Sequence, residues 1–168
     1  MPKIIENLET RLMEEAMRQI ESVGYSATTI RSVAQACGVG VGTVYNYYPS
    51  KDMLVASYML TDWQNCLAVI HSAGQTAATP EPVVRCIYDQ INTFADRNSA
   101  IIRDEAAFVG FASVCNRYHT MLRSQLAAPL RRFCPDDFTA EFITESLLRW
   151  TLTDKDFDTI YRMIQKLF

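Results

Sequence analysis

A chain of 168 residues with 49% apolar and 21% charged residues has the balance of one domain with a sizeable core, or of a small domain joined to a larger one; disorder and fibrous repeats are excluded. The net charge of −3 and pI near 5.4 run against a protein that would hold nucleic acid by bulk charge. Charges in MPKIIENLE and polar interruptions in the uncharged stretch Trp63–Pro80 leave neither an export signal nor a membrane span, so a cytoplasmic location is expected.

In chain order, Ile5, Leu8, Leu12, Ala16, Ile20 and Val23 recur at three- and four-residue intervals, which predicts a first helix ending before Gly24 with its glutamates outside. Thr29 is placed to N-cap a second, two-turn helix whose apolar face is Ile30, Val33, Ala34 and Cys37, with Gly38 at its C′ position. After Gly38-Val39-Gly40 a third short helix is expected from about Val41 to Tyr47, stopped by Pro49. Two short helices across a tight glycine turn make a helix-turn-helix. Ser50 can cap a long fourth helix carrying Leu54, Tyr58, Trp63, Leu67 and Ile70, which is expected to dissolve into a linker over Ala73–Pro82.

Val84, Ile87, Tyr88, Ile91 and Phe94 stripe a fifth helix ending near Asn98, and a short sixth begins near Ser99. A seventh covers about Val114 to Phe133, where Pro129 should kink or end it. Asp136 and Asp137 precede an eighth with Phe142, Ile143, Leu147 and Trp150. Thr153 and Asp156 form a T-x-x-D pattern ahead of a ninth with Phe157, Ile160, Tyr161, Ile164, Leu167 and Phe168. Every segment is helical, so the fold class is all-α with about nine helices.

Chemistry-bearing clusters are sparse. Cys37, Cys66, Cys86, Cys115 and Cys134 include no CxxC pair and read as reduced, buried thiols. His71 and His119 lie far apart without neighbouring ligands, so no metal and no cofactor is expected. GVGVG at Gly38–Gly42 follows a helix rather than a strand and lacks the last Gly of GxGxxG, which excludes a dinucleotide loop.

Charge is unevenly spread. Glu6, Glu9, Glu14, Glu15 and Glu21 precede residue 22, whereas residues 22–51 hold no acid and two bases, Arg31 and Lys51. Within this mildly positive stretch, Gly42 and Thr43 in the first turn of the third helix would let its backbone come close to a groove edge. Tyr45 and Tyr47 carry hydroxyls suited to phosphates, and Asn46 between them can bond a base edge. Val44 and Tyr48 fit as core pins over Val33 and Ala34. Taken singly, Thr29 serves equally as a cap, Tyr45 as a packed aromatic and Lys51 as a solvated charge.

Residues 8–55, with Ala16, Gly24-Tyr25, Thr29, Val33-Ala34, Gly38-Val39, Gly42-Thr43-Val44-Tyr45, Tyr47-Tyr48 and Lys51-Asp52 in order, resemble the N-terminal domain of the tetracycline-repressor (TetR) family. The resemblance implies a helix-turn-helix DNA-binding domain over 1–50 and a helical effector-binding and dimerisation domain over 51–168. It implies DNA contacts from Thr29, Arg31, Gly42, Thr43, Tyr45, Asn46, Tyr47 and Lys51, with Lys51 at the family's phosphate-contacting lysine and Arg31 where some members read guanine. Three features depart from the pattern: Gly40 stands for the usual Ser cap, Tyr48 for Phe, and the N-terminal arm offers only Lys3 and Arg11.

The same resemblance implies a homodimer formed through the last two helices, with Leu147, Trp150, Phe157, Ile160, Tyr161 and Ile164 as interface or adjoining core; the alternative is that this stripe only closes the chain's own core. It implies a small-molecule effector pocket among helices four to seven, where Trp63, Phe94, Phe108, Phe111 and Tyr118 are the candidates; aromatic stripes at this spacing also serve as plain core. The expected function is a transcriptional repressor on a roughly palindromic double-stranded operator, released by an effector. The alternative is a helical protein-protein interaction module that kept the fold without specific DNA binding. An enzyme is not expected, for want of a nucleophile, an acid/base pair or a metal triad.

Overall fold

The computed structural model of the chain describes residues 7–104, 107, 121–153 and 155–168. Among these, all regular structure is helical: α1 (Leu8–Val23), α2 (Ile30–Ala36), α3 (Val41–Tyr47), α4 (Lys51–Thr76), α5 (Pro80–Arg97), α6 (Ser99–Ile102), α7 described over 121–127, α8 (Asp137–Thr151) and α9 (Phe157–Ile164). Short 3-10 turns follow at Arg131–Phe133 and Gln165–Leu167. No described helix is long and apolar enough to cross a membrane.

Local chemistry sets most helix ends. Thr29 is extended and accepts the Ser32 N–H, while Ser32 Oγ accepts the Thr29 N–H, a reciprocal capping box at the start of α2. At its end Gly38 takes φ +70°, so that Val39 N–H reaches the Ala34 carbonyl and Gly38 N–H reaches that of Gln35. This Schellman closure favours a glycine because the left-handed conformation is costly for a side chain. Tyr48 is extended ahead of Pro49 and ends α3, and Ser50 Oγ accepts the Met53 N–H at the head of α4.

Three expectations are corrected. α4 continues to Thr76 and α5 begins at Pro80, so the linker shrinks from Ala73–Pro82 to residues 77–79; Pro80 opens a helix readily because its missing N–H is an orphan there anyway. Asp156, not Thr153, caps α9 by accepting the Thr159 N–H, and the Thr153 hydroxyl instead donates to the Trp150 carbonyl. Val23, counted in the inward stripe of α1, is exposed in the last turn before Gly24.

The chain forms two compact units, Met1–Thr61 with Asn98–Ala112, and Asp62–Arg97 with Ser113–Phe168. The first extends past the expected boundary at 50/51 because Leu54 and Val55 of α4 are fully buried there. One of its clusters joins Leu8, Leu12 and Ala16 of α1 to Ile30, Val33 and Ala34 of α2, with Cys37, Val44, Tyr48 and Leu54. The other joins Met17, Ile20, Tyr25 and Val55 to Ile101 and Ala107. Each fully buried aliphatic side chain contributes on the order of 1.5–3 kcal/mol.

The second unit has one core, in which α5 supplies Val83, Val84, Ile87 and Ile91, α8 supplies Ala140, Ile143 and Leu147, and α9 supplies Phe157, Ile160 and Ile164. Phe157 anchors α9: it stacks on Tyr161 at 5.3 Å, meets Tyr88 edge-on at 5.6 Å and lies under the Arg85 guanidinium at 3.8 Å. The described cysteines, Cys37, Cys66, Cys86 and Cys134, are free thiols buried or half-buried, and burial raises the pKa of each. Burial thus disfavours the thiolate form at each of them. His119 and Cys115 lie outside the described residues.

Candidate nucleic-acid interface

α2 packs against both α1 and α3, and the three helices share one buried cluster. Val44 is fully buried and Tyr48 nearly so, above Val33 and Ala34. With these residues and half-buried Val41 facing inward, helical spacing places Gly42, Thr43 and Asn46 on the opposite side of α3. Gly42 and Asn46 are exposed, Thr43 is half-exposed, and Tyr45 and Tyr47 flank them at 52% and 43% exposure. Arg31 of α2 is also exposed. The structure therefore brings Arg31, Gly42, Thr43, Tyr45, Asn46 and Tyr47 to the solvent side of the α2–α3 pair.

Two of the eight candidates are used inside the unit. The Thr29 hydroxyl is engaged with Ser32 in the capping box. Lys51 is half-buried, donates from Nζ to the Tyr25 carbonyl at 2.7 Å, and sits 4.0 Å from the centre of the Tyr25 ring. Burial lowers its pKa, and the nearby Asp52 and Asp104 carboxylates oppose that shift. The Tyr25 hydroxyl in turn donates to Asp52 Oδ1, and burial together with that carboxylate pushes the Tyr25 phenol upward. Lys51 thus clamps the turn after α1 to the start of α4.

Sequence reasoning missed this clamp and a second tie. Arg11, counted as part of a basic arm, donates from Nη2 to the Cys37 carbonyl at 3.1 Å and steadies the end of α2. Along α1, Arg18 bonds Glu15 through both Nε and Nη2, and Gln19 Nε2 donates to the same carboxylate, which holds the Glu15 pKa down at about 2. Gln19 Oε1 accepts from Ser32 Oγ at 2.6 Å, which carries the network into the capping box of α2. The Glu15-to-Gln19 spacing was a visible signal; the reach from residue 19 to residue 32 was not.

Of the aromatic residues considered for an effector pocket, Trp63 is buried and Phe94 half-buried, their rings edge to face at 5.3 Å, with Trp63 Nε1 donating to Gln125 Oε1. Phe108, Phe111 and Tyr118 lie outside the described residues. Leu147, Phe157, Ile160 and Ile164, assigned to a subunit interface, are buried in the chain's own core; Tyr161 is half-buried and Trp150 is 48% exposed. α9 needs its apolar face to close on α5 and α8. Exposed apolar side chains remain on both helices, Met163 of α9 at 68% and Phe138 and Phe142 of α8 at 74% and 51%, and the aromatic ones lie on α8.

Residues 12–58 match the family described as bacterial regulatory proteins, tetR family. Over 88 residues, 52% of this chain, the sequence is 28% identical to the HTH-type transcriptional repressor KstR of Mycolicibacterium smegmatis and covers 43% of that protein. It is 30% identical to KstR of Mycobacterium tuberculosis over 88 residues, 40% of that protein. The match thus spans well under two thirds of either relative. The fold is shared with SCO7518 of Streptomyces coelicolor A3(2), solved as a candidate transcriptional regulator, at a TM-score of 0.72 and 14% identity over 94% of this chain and 96% of that one. Residues 12–58 of the chain are thus similar to the tetR family of bacterial regulatory proteins.

Proposed function

We propose that the protein is a cytoplasmic, sequence-specific DNA-binding repressor that acts as a homodimer. The observation that carries this reading is the solvent face of α2–α3: Gly42, Thr43, Asn46 and two tyrosines stand outward on a helix pinned by Val44 and Tyr48, in a stretch without a carboxylate. Those groups suit a major groove and its phosphates, and the pinned core fixes their register. In a two-fold dimer the paired α3 helices would enter successive major grooves about 34–36 Å apart on a roughly palindromic operator. Phe138, Phe142 and Trp150 on α8 offer the apolar face for a second copy. Release by a small-molecule effector follows the organisation of the family.

The test is selection of bound duplexes from a randomised double-stranded pool by the full chain, at low and moderate salt. Enrichment of a two-fold symmetric site is the expected result. Retention without sequence enrichment at either salt would leave the protein-interaction reading in its place.

A further inference from the structure

The outward face of α3 contains a glycine that the fold does not require. Gly24 and Gly38 hold positive φ, Gly74 faces Pro129, and Gly40 stands at the N-cap of α3. Gly42 has no such reason: its φ is not positive, it lies inside the helix, and an added Cβ would meet nothing within 4 Å. Glycine is among the weakest helix formers, so at this position the fold alone would favour alanine. A residue that costs helix stability and leaves open space points to something outside the chain that must come close. One turn further on, Asn46 is exposed on the same face, and Thr43 is their half-exposed neighbour.

We infer that Asn46 reads the adenine of an A·T pair in the major groove, and that position 42 is glycine so that the backbone of α3 can approach that pair. This rests on the DNA-binding reading above. The carboxamide of Asn matches adenine in a bidentate way, donating to N7 and accepting from N6, and the Thr43 methyl suits the thymine methyl group. α3 reads VGTVYNY and has no Arg or Lys for the O6/N7 edge of guanine. Within residues 22–51 the exposed cation is Arg31, on α2, so guanine readout is confined to the flank it reaches. Each half-site is therefore A·T at the position facing α3.

The experiment compares wild type, Asn46→Ala and Gly42→Ala, each as the full chain, in the duplex selection and in thermal melting. The wild-type pool is expected to fix an A·T pair at one inner position of each half-site. Asn46→Ala should flatten that position by roughly fivefold or more while the flanks persist. Gly42→Ala should melt roughly 2–4 °C higher yet bind the selected site about tenfold more weakly or worse. A G·C pair fixed opposite α3, an unchanged preference in Asn46→Ala, wild-type binding by Gly42→Ala, or its melting below wild type would each overturn the inference with DNA binding intact. A pool that never enriches would sink both readings together.

Discussion

At Lys51, two roles can be told apart by experiment. Of its three N–H donors one goes to the Tyr25 carbonyl, and the half-buried ammonium is set over the Tyr25 ring, which favours a structural role. Lys51→Met keeps the stem and removes the charge. If Lys51 touched a phosphate, the slope of log K against log salt would flatten by about 0.9. We expect the slope to stay, affinity to fall at every salt concentration, and the melting temperature to drop, since loss of this bond costs about 1–2 kcal/mol. A flattened slope with unchanged melting would return Lys51 to the DNA surface. The tie was illegible beforehand because it joins residues 25 and 51, whereas the caps Thr29 and Gly38 act within four residues of their partners.

At the scale of elements, the helices that propensity and capping decide were readable, and those decided by tertiary contact were not. The α2–α3 pair carries its punctuation in Thr29, Gly38 and Pro49, so both helices and their inward residues follow from spacing. The end of α4 does not. Gly74 with its alanine- and threonine-rich surroundings looks like the start of a linker, yet the helix continues to Thr76 and Gly74 is buried. A Cβ at position 74 would come within 2.6 Å of Pro129 Cβ. Glycine's helical cost of about 1 kcal/mol relative to alanine is offset by that close approach. Gly74→Ala gains helix propensity but overpacks the contact, at about 1–3 kcal/mol. The expected net result in thermal or urea unfolding is a less stable protein with native helicity; a rise in melting temperature would show that α4 and Pro129 separate freely. α9 was only half legible for a related reason: its apolar count was visible, but packing is what places Phe157, Ile160 and Ile164 in the core of one chain.

For the whole molecule, the question is which surface a second copy would cover. The core residues of α9 are excluded, because any partner would have to displace α5 and α8 to reach them. α8 turns Ala140, Ile143, Thr144 and Leu147 inward and leaves Phe138, Phe142 and Trp150 outside, with the two phenylalanine rings 6.4 Å apart. Exposed aromatic rings on one helix are poorly explained by an isolated chain and well explained by a partner. Phe142→Glu places a charge in that patch without touching the core. Sedimentation is expected to show wild type as a dimer and the variant as a monomer at the same micromolar concentration, with helicity retained. Its operator affinity should collapse by far more than any single contact accounts for, since each monomer keeps only one half-site and loses the effective concentration of the second α3. A wild-type monomer, or a variant that stays dimeric, would remove α8 from the interface and leave the symmetric operator without its physical basis.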